Sequence, residues 1–136
     1  MSRTLHILCI DDEVDILEMV RLCLSFDGGF TVSICNGGAE ALDFLDQARP
    51  DLILLDVLMP RMDGPATLRA IQAMERARDI PVIFMTARGQ EVDGERFREL
   101  GAIGVVPKPF DPLTLASGIR EAYHAWAKRP GTRAGA

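Results

Sequence analysis

Four groups of polar residues stand directly behind short apolar runs in this chain. Asp11, Asp12 and Glu13 follow the run from Leu5 to Ile10, and Asp56 follows Leu52 to Leu55. Thr86 follows Val82 to Met85, and Lys108 comes just after Ile103 to Val106. A fifth run, Thr31 to Cys35, delivers no such group. Carboxylates gathered on one rim repel each other unless a cation neutralises them. Oxygen donors without histidine or thiolate favour Mg²⁺, Mn²⁺ or Ca²⁺ over zinc. Such a cation spreads the charge that develops in phosphoryl transfer. One carboxylate is then available as a nucleophile. Lys108 would bring a positive charge to the phosphoryl oxygens, and Thr86 a hydroxyl that can donate to one of them.

Each residue taken alone also has a plainer role. Asp11 or Asp12 would cap a following helix, Thr86 would end a strand, and Lys108 would sit in a turn. Pro107 and Pro109 flank Lys108, so a cis turn fits there. Asp56 has the weakest plain alternative, because it closes a wholly apolar run just ahead of Met59-Pro60. Asp51 precedes its run and belongs to the opposite rim. Asp63-Gly64 reads as a turn that starts a helix. His6 and His124 have no partner at metal-ligand spacing and read as structural or solvated. Cys9, Cys23 and Cys35 lack a CxxC pattern, which argues against a disulfide framework or a zinc site. They read as small buried hydrophobes.

These groups need a scaffold that brings distant parts of the chain to one rim. The apolar runs are short and uniformly apolar, as in strands covered on both faces. Helical patterns fill the gaps. The first spans about Glu13 to Phe26, with Ile16, Val20, Cys23 and Leu24 recurring, and Gly28-Gly29 ends it. The second spans about Ala39 to Gln47, and the third runs from Asp63-Gly64 to about Ala77. The fourth spans about Glu91 to Leu100, weakened at Gly94 by about 1 kcal/mol relative to Ala and closed by Gly101. The fifth opens with Asp111 as N-cap and Pro112 at its first position, carrying Leu115, Ile119, Ala122 and Trp126 inward. Alternation of this kind predicts a doubly wound α/β domain around a five-stranded parallel sheet, (βα)5. In such open sheets, sites form beyond the carboxyl ends of the strands.

The bulk properties agree with one domain and one core. The chain has 136 residues, nearly half of them apolar. Its net charge of -5 disfavours direct nucleic-acid binding. No run is long enough to span a membrane, and the N-terminus lacks the pattern of a secretory signal. The expected compartment is the cytoplasm. The region from 127 to 136 has no periodicity and is expected to be a flexible tail.

Four segments together resemble the response-regulator receiver domain of two-component signalling, of the single-domain, chemotaxis-regulator-like kind. They are Ile10-Asp11-Asp12-Glu13, then Leu54-Leu55-Asp56-Val57-Leu58-Met59-Pro60 with Asp63-Gly64, then Met85-Thr86-Ala87, and Lys108-Pro109-Phe110. The resemblance covers residues 5–126. It implies a flavodoxin-like sheet of strand order 2-1-3-4-5. It implies that Asp56 is the phosphoacceptor, charged by a sensor histidine kinase or a histidine phosphotransfer protein. Mg²⁺ (or Mn²⁺) would be bound directly by Asp12, Asp56 and the backbone carbonyl of Leu58, and through water by Asp11. Thr86 and Lys108 would hold the phosphoryl oxygens, and Lys108-Pro109 would be cis. Phosphorylation would draw Thr86 inward and rearrange the loop after strand four and helix four, with Gly89 and Gly94 easing the movement.

The chain departs from this family's pattern at several positions. Val105 stands where a switching Tyr or Phe is often found, so readout through an aromatic there is not expected. Leu58 and Arg88 occupy positions that tune dephosphorylation. The bulk of Leu58 should hinder the attacking water and give a phosphoryl lifetime that is not especially short. Thr114 and Gly118 replace an acid and a base used in one mode of dimerisation, so a monomer or weak dimer is expected. A haloacid-dehalogenase-like phosphatase would need a second Asp where Leu58 stands. A flavodoxin-like cofactor binder would need a glycine-rich phosphate loop after strand one. A degenerate receiver that never accepts phosphate would not need the full acceptor set. The expectation is therefore a signalling switch rather than an enzyme, with self-phosphorylation and self-dephosphorylation chemistry at Asp56. With no residues left for an output domain, it would act on a separate protein target.

Overall fold

The computed structural model describes residues 4–87 and 94–129. Arg88, Gly89, the start of the expected fourth helix at Glu91 and the tail from 130 to 136 lie outside the described residues. Five strands and five helices alternate along the chain. They are β1 (Leu5–Ile10), α1 (Val14–Asp27), β2 (Phe30–Cys35), α2 (Gly38–Gln47), β3 (Leu52–Asp56), α3 (Gly64–Gln72), β4 (Val82–Ala87), α4 (Gly94–Glu99), β5 (Gly104–Lys108) and α5 (Pro112–Ala127). All pairings are parallel and the strand order is β2-β1-β3-β4-β5, as expected.

Side chains alternate across the strands, so each strand feeds two cores. Leu8, Ile10, Ile53, Leu55 and Phe84 face α2, α3 and α4, where Leu45, Leu68, Ile71 and Phe97 meet them. Ile7, Cys9, Leu52, Leu54, Ile83 and Met85 face α1 and α5, packing with Leu17, Val20, Leu24, Leu115, Ile119 and Tyr123. A fully buried side chain such as Leu54 contributes about 2 kcal/mol by leaving water. This double burial explains why the strands read as continuous apolar runs.

Local signals mostly work as expected. Gly28 takes a left-handed φ of 86° and closes α1, its N–H donating to the Ser25 carbonyl. Asp63 caps α3 by accepting from Ala66 N, and Asp111 caps α5 by accepting from Leu113 N. Cys9, Cys23 and Cys35 are free thiols, Cys23 being half-buried. Asp51 lies on the opposite rim and accepts from His6 N at 2.8 Å, while the His6 ring bonds Ser33.

The differences have physical causes. The inward face of α1 centres on Leu17, Val20 and Leu24, with Ile16 and Cys23 only partly buried. Tyr123, not Trp126, is the buried aromatic of α5. The helix expected to reach Ala77 ends at Gln72, and turns follow. Those turns bury Ala77 and Ile80 under the sheet. Backbone bonds such as Ala77 N to the Met74 carbonyl and Ile80 N to the Ala77 carbonyl hold the turns, Arg49 donates to the Arg76 carbonyl, and Arg76 in turn donates to the Asp46 carbonyl of α2 at 2.7 Å. The last three strands also run further than their apolar residues, through Asp56, Ala87 and Lys108.

Candidate functional site

That strand extension places the chemistry. Asp56 sits in the ladder opposite Met85, Thr86 opposite Pro107, and Ala87 opposite Lys108. Three polar groups expected behind the strands are thus held by inter-strand backbone bonds, which locks their spacing. Asp11 and Asp12 come from the turn after β1. Asp11 Oδ1 accepts from Glu13 N at 2.9 Å, so Asp11 shapes that turn while its other oxygen faces the rim. Neither aspartate caps α1: Glu13 is the N-cap and makes no side-chain capping bond.

Asp11, Asp12 and Asp56 each bring an oxygen to within 4.8 Å of the others. Asp11 and Asp56 are buried and Asp12 is exposed, so the cluster opens to solvent on one side. Three carboxylates with no nitrogen or sulfur donor are the donor chemistry of a hard, oxygen-loving cation. Lys108 Nζ lies 2.9 Å from Asp11 Oδ2, 3.3 Å from Asp56 Oδ1 and 3.5 Å from Glu13 Oε1. Glu13, expected behind β1 but without a role of its own, therefore joins the rim. The Lys108-Pro109 bond is cis.

Electrostatics follow from this crowding. Burial pushes the Asp56 carboxyl up to about 6, and the Asp11 charge adds to the effect. Lys108 opposes it, and Asp12 adds a smaller push upward. For Lys108, burial disfavours the ammonium, but its bonds to Asp11 and Asp56 outweigh this and hold it above its ordinary value. Thr86 is fully buried, and its Oγ1 has no hydrogen-bond partner among the described residues. A buried hydroxyl without a partner costs about 1–3 kcal/mol, so native structures rarely keep one without a use.

Two features were not legible in the residue types. Gly64 opens α3 directly against the end of β3. A Cβ there would overlap the Asp56 carbonyl oxygen and stand 2.8 Å from Val57 Cα and 3.0 Å from Phe84 Cε1. Gly64 N also donates to the Val57 carbonyl at 2.8 Å. Asp63-Gly64 is the expected helix start, but its glycine is required by this close approach. Arg61 holds a left-handed φ of 67°, with Met62 N bonded to the Pro60 carbonyl at 2.7 Å. Leu58 is 60% exposed on the same rim.

The family model for the response regulator receiver domain matches residues 7–120. The chain is similar to the transcriptional regulatory protein CpxR of Escherichia coli (strain K12), 40% identical over 114 residues, which are 84% of this chain and 47% of that protein. It is similar to response regulator Rre1 of Synechocystis, 33% identical over 120 residues, 88% of this chain and 52% of that one. The chemotaxis response regulator CheY4 of Vibrio cholerae matches in structure with a TM-score of 0.79 at 30% identity, over 88% of this chain and 98% of CheY4. The chain spans about half the length of the curated relatives it matches.

Proposed function

Because this chain belongs to the response regulator receiver domain family, we propose that it is a phosphoacceptor switch that takes a phosphoryl group on Asp56. The observation that carries this reading is the Asp56 carboxylate, 4% exposed, grouped with Asp11, Asp12 and Lys108 on one rim. The donor would be a phosphohistidine on a sensor kinase or a phosphotransfer protein. An Asp56 Oδ attacks phosphorus, the P–N bond breaks, and the departing imidazole keeps the electron pair and takes a proton. Lys108 is already 3.3 Å from Asp56 and can follow the phosphoryl oxygens without leaving the site. Thr86 Oγ1, buried without a partner among the described residues, gains an acceptor in a phosphoryl oxygen. Asp11, Asp12, Asp56 and the Leu58 carbonyl would hold Mg²⁺ or Mn²⁺, which when bound would neutralise charge on the transferred group.

The family acts as a signalling switch, and the product here would be a two-state population shift read by a downstream protein. Among the described residues no helix is long and apolar enough to cross a membrane. A cytoplasmic site of action is part of this proposal. The exposed Leu58 side chain takes the place of the second acid that a phosphatase of similar chemistry uses. The test is incubation with acetyl phosphate, with and without Mg²⁺, followed by intact mass. One phosphoryl group gained only with Mg²⁺, and absent in Asp56→Asn, is the expected result. Equal uptake by Asp56→Asn would remove Asp56 from the role.

A further inference from the structure

Resting on the acceptor reading, there is the question of how the state of Asp56 reaches a surface a partner can touch. Val105, opposite Phe84 in the ladder, is a half-buried aliphatic residue with no ring to turn. The aromatic on this face comes instead from α4. Phe97 is the one buried residue among the described positions of α4, 3% exposed, so that short helix is held to the sheet largely through one ring. The Phe97 ring packs on Phe84 with centroids 5.0 Å apart and planes at 49°. Such a tilted pair is directional and has more than one favourable arrangement.

Phe84 in turn touches the acceptor site from behind. Its Cε1 borders Gly64, at the junction of the Asp56 strand exit with α3. Phe84 and Thr86 lie on the same face of β4, because side chains two apart share a face. Val57 N, immediately after Asp56, donates to the Met85 carbonyl between them at 3.1 Å. A shift of Thr86 toward a new oxygen partner therefore moves backbone that also carries Phe84. A close-packed ring pair answers such a shift by re-seating rather than by compressing.

We propose that Phe97 is the side chain through which the state of the acceptor site reaches α4, its ring re-seating on Phe84 when Thr86 gains a phosphoryl oxygen. The device places the moving aromatic on the moving helix itself. The partner then reads the outer face of α4, with no rotating side chain on β5.

The test uses the full chain carrying 4-fluorophenylalanine, titrated with beryllofluoride and Mg²⁺. The Phe97 fluorine signal is identified by its loss in Phe97→Leu. That signal and the amides of residues 95–99 are expected to shift together with the Asp56 amide. In Phe97→Ala the α4 amide shifts should fall below about one-fifth of wild type, while acetyl phosphate uptake stays within twofold. Phe97→Leu keeps apolar bulk and guards against loss of the helix; its α4 response should fall by about half or more. A Phe97 ring that stays put while the Asp56 amide moves overturns the inference alone. So does a full α4 response in both variants. An Asp56 amide that never moves, with no phosphoryl uptake, overturns the acceptor reading and this inference with it.

Discussion

Asp56 is a carboxylate held where water barely reaches it, beside Asp11 and Asp12, and its stability cost depends on pH. A carboxyl pushed up to about 6 binds its proton more tightly in the folded chain than in the unfolded one. Its penalty is therefore absent below about pH 4, grows as pH rises, and is complete above about pH 6. Its size is about 3 kcal/mol at 1.36 kcal/mol per pKa unit. Without divalent cation, Asp56→Asn should be more stable than wild type by up to that amount at pH 8. The gain should shrink to near zero at pH 4, which urea denaturation at the two pH values would check. Thr86→Ala removes a buried hydroxyl that has no partner among the described residues, and should raise apo stability by about 1 kcal/mol. The same variant should keep phosphoryl uptake but lose most of the beryllofluoride-induced spectral change. Lys108→Ala leaves Asp11 and Asp56 buried without their cation and should cost about 3 kcal/mol at neutral pH. Added Mg²⁺ should restore part of that loss in a thermal melt.

Between side chain and whole fold, the geometry rests on how elements meet. β3 delivers Asp56 and α3 starts eight residues later at Gly64, in contact with the same strand end. Gly64→Ala pushes a methyl into the Asp56 carbonyl and Val57, so it should displace the acceptor and the Leu58 carbonyl together. We expect Mg²⁺ affinity and phosphoryl uptake to fall by tenfold or more, beyond what the lost stability explains. Gly118→Ala is the matching control. A Cβ at Gly118 meets nothing within 4 Å, so the exchange should stabilise α5 by up to about 1 kcal/mol and leave uptake unchanged. Isothermal titration with Mg²⁺ on both variants, alongside their melting curves, separates the two effects.

For the folded chain as a unit, the acidic rim links cation binding to stability. A cation that binds only the folded state stabilises it by RT ln(1 + [L]/Kd), about 2.7 kcal/mol at a hundredfold excess over Kd. For a domain of this length that corresponds to roughly 9 °C in Tm. Mg²⁺ should raise the wild-type Tm by that order, chelation should reverse it, and Asp12→Ala should abolish most of it. An unchanged Tm across a Mg²⁺ titration would count against the three aspartates as a cation site.

The parallel sheet and the residues of the rim were legible in the sequence because burial on both faces leaves uninterrupted apolar runs, and because Asp11, Asp12, Asp56, Thr86 and Lys108 are conspicuous behind them; the strand order was implied only by the family resemblance. Caps at Asp63 and Asp111 and the stop at Gly28 were legible for the same local reason: they depend on neighbours one to four residues away. Strand ends were not, since polar residues at Asp56, Thr86 and Lys108 look like loop in one dimension while their backbone still pairs across the sheet. The early end of α3 was hidden too, decided by the burial of Ala77 and Ile80 and by Arg49, 27 residues away from the Arg76 carbonyl it satisfies. The need for glycine at 64, the lone hydroxyl of Thr86 and the seating of Phe97 on Phe84 are relations between segments distant in the chain. Only packing in three dimensions creates them, because each depends on which surfaces the fold presses together.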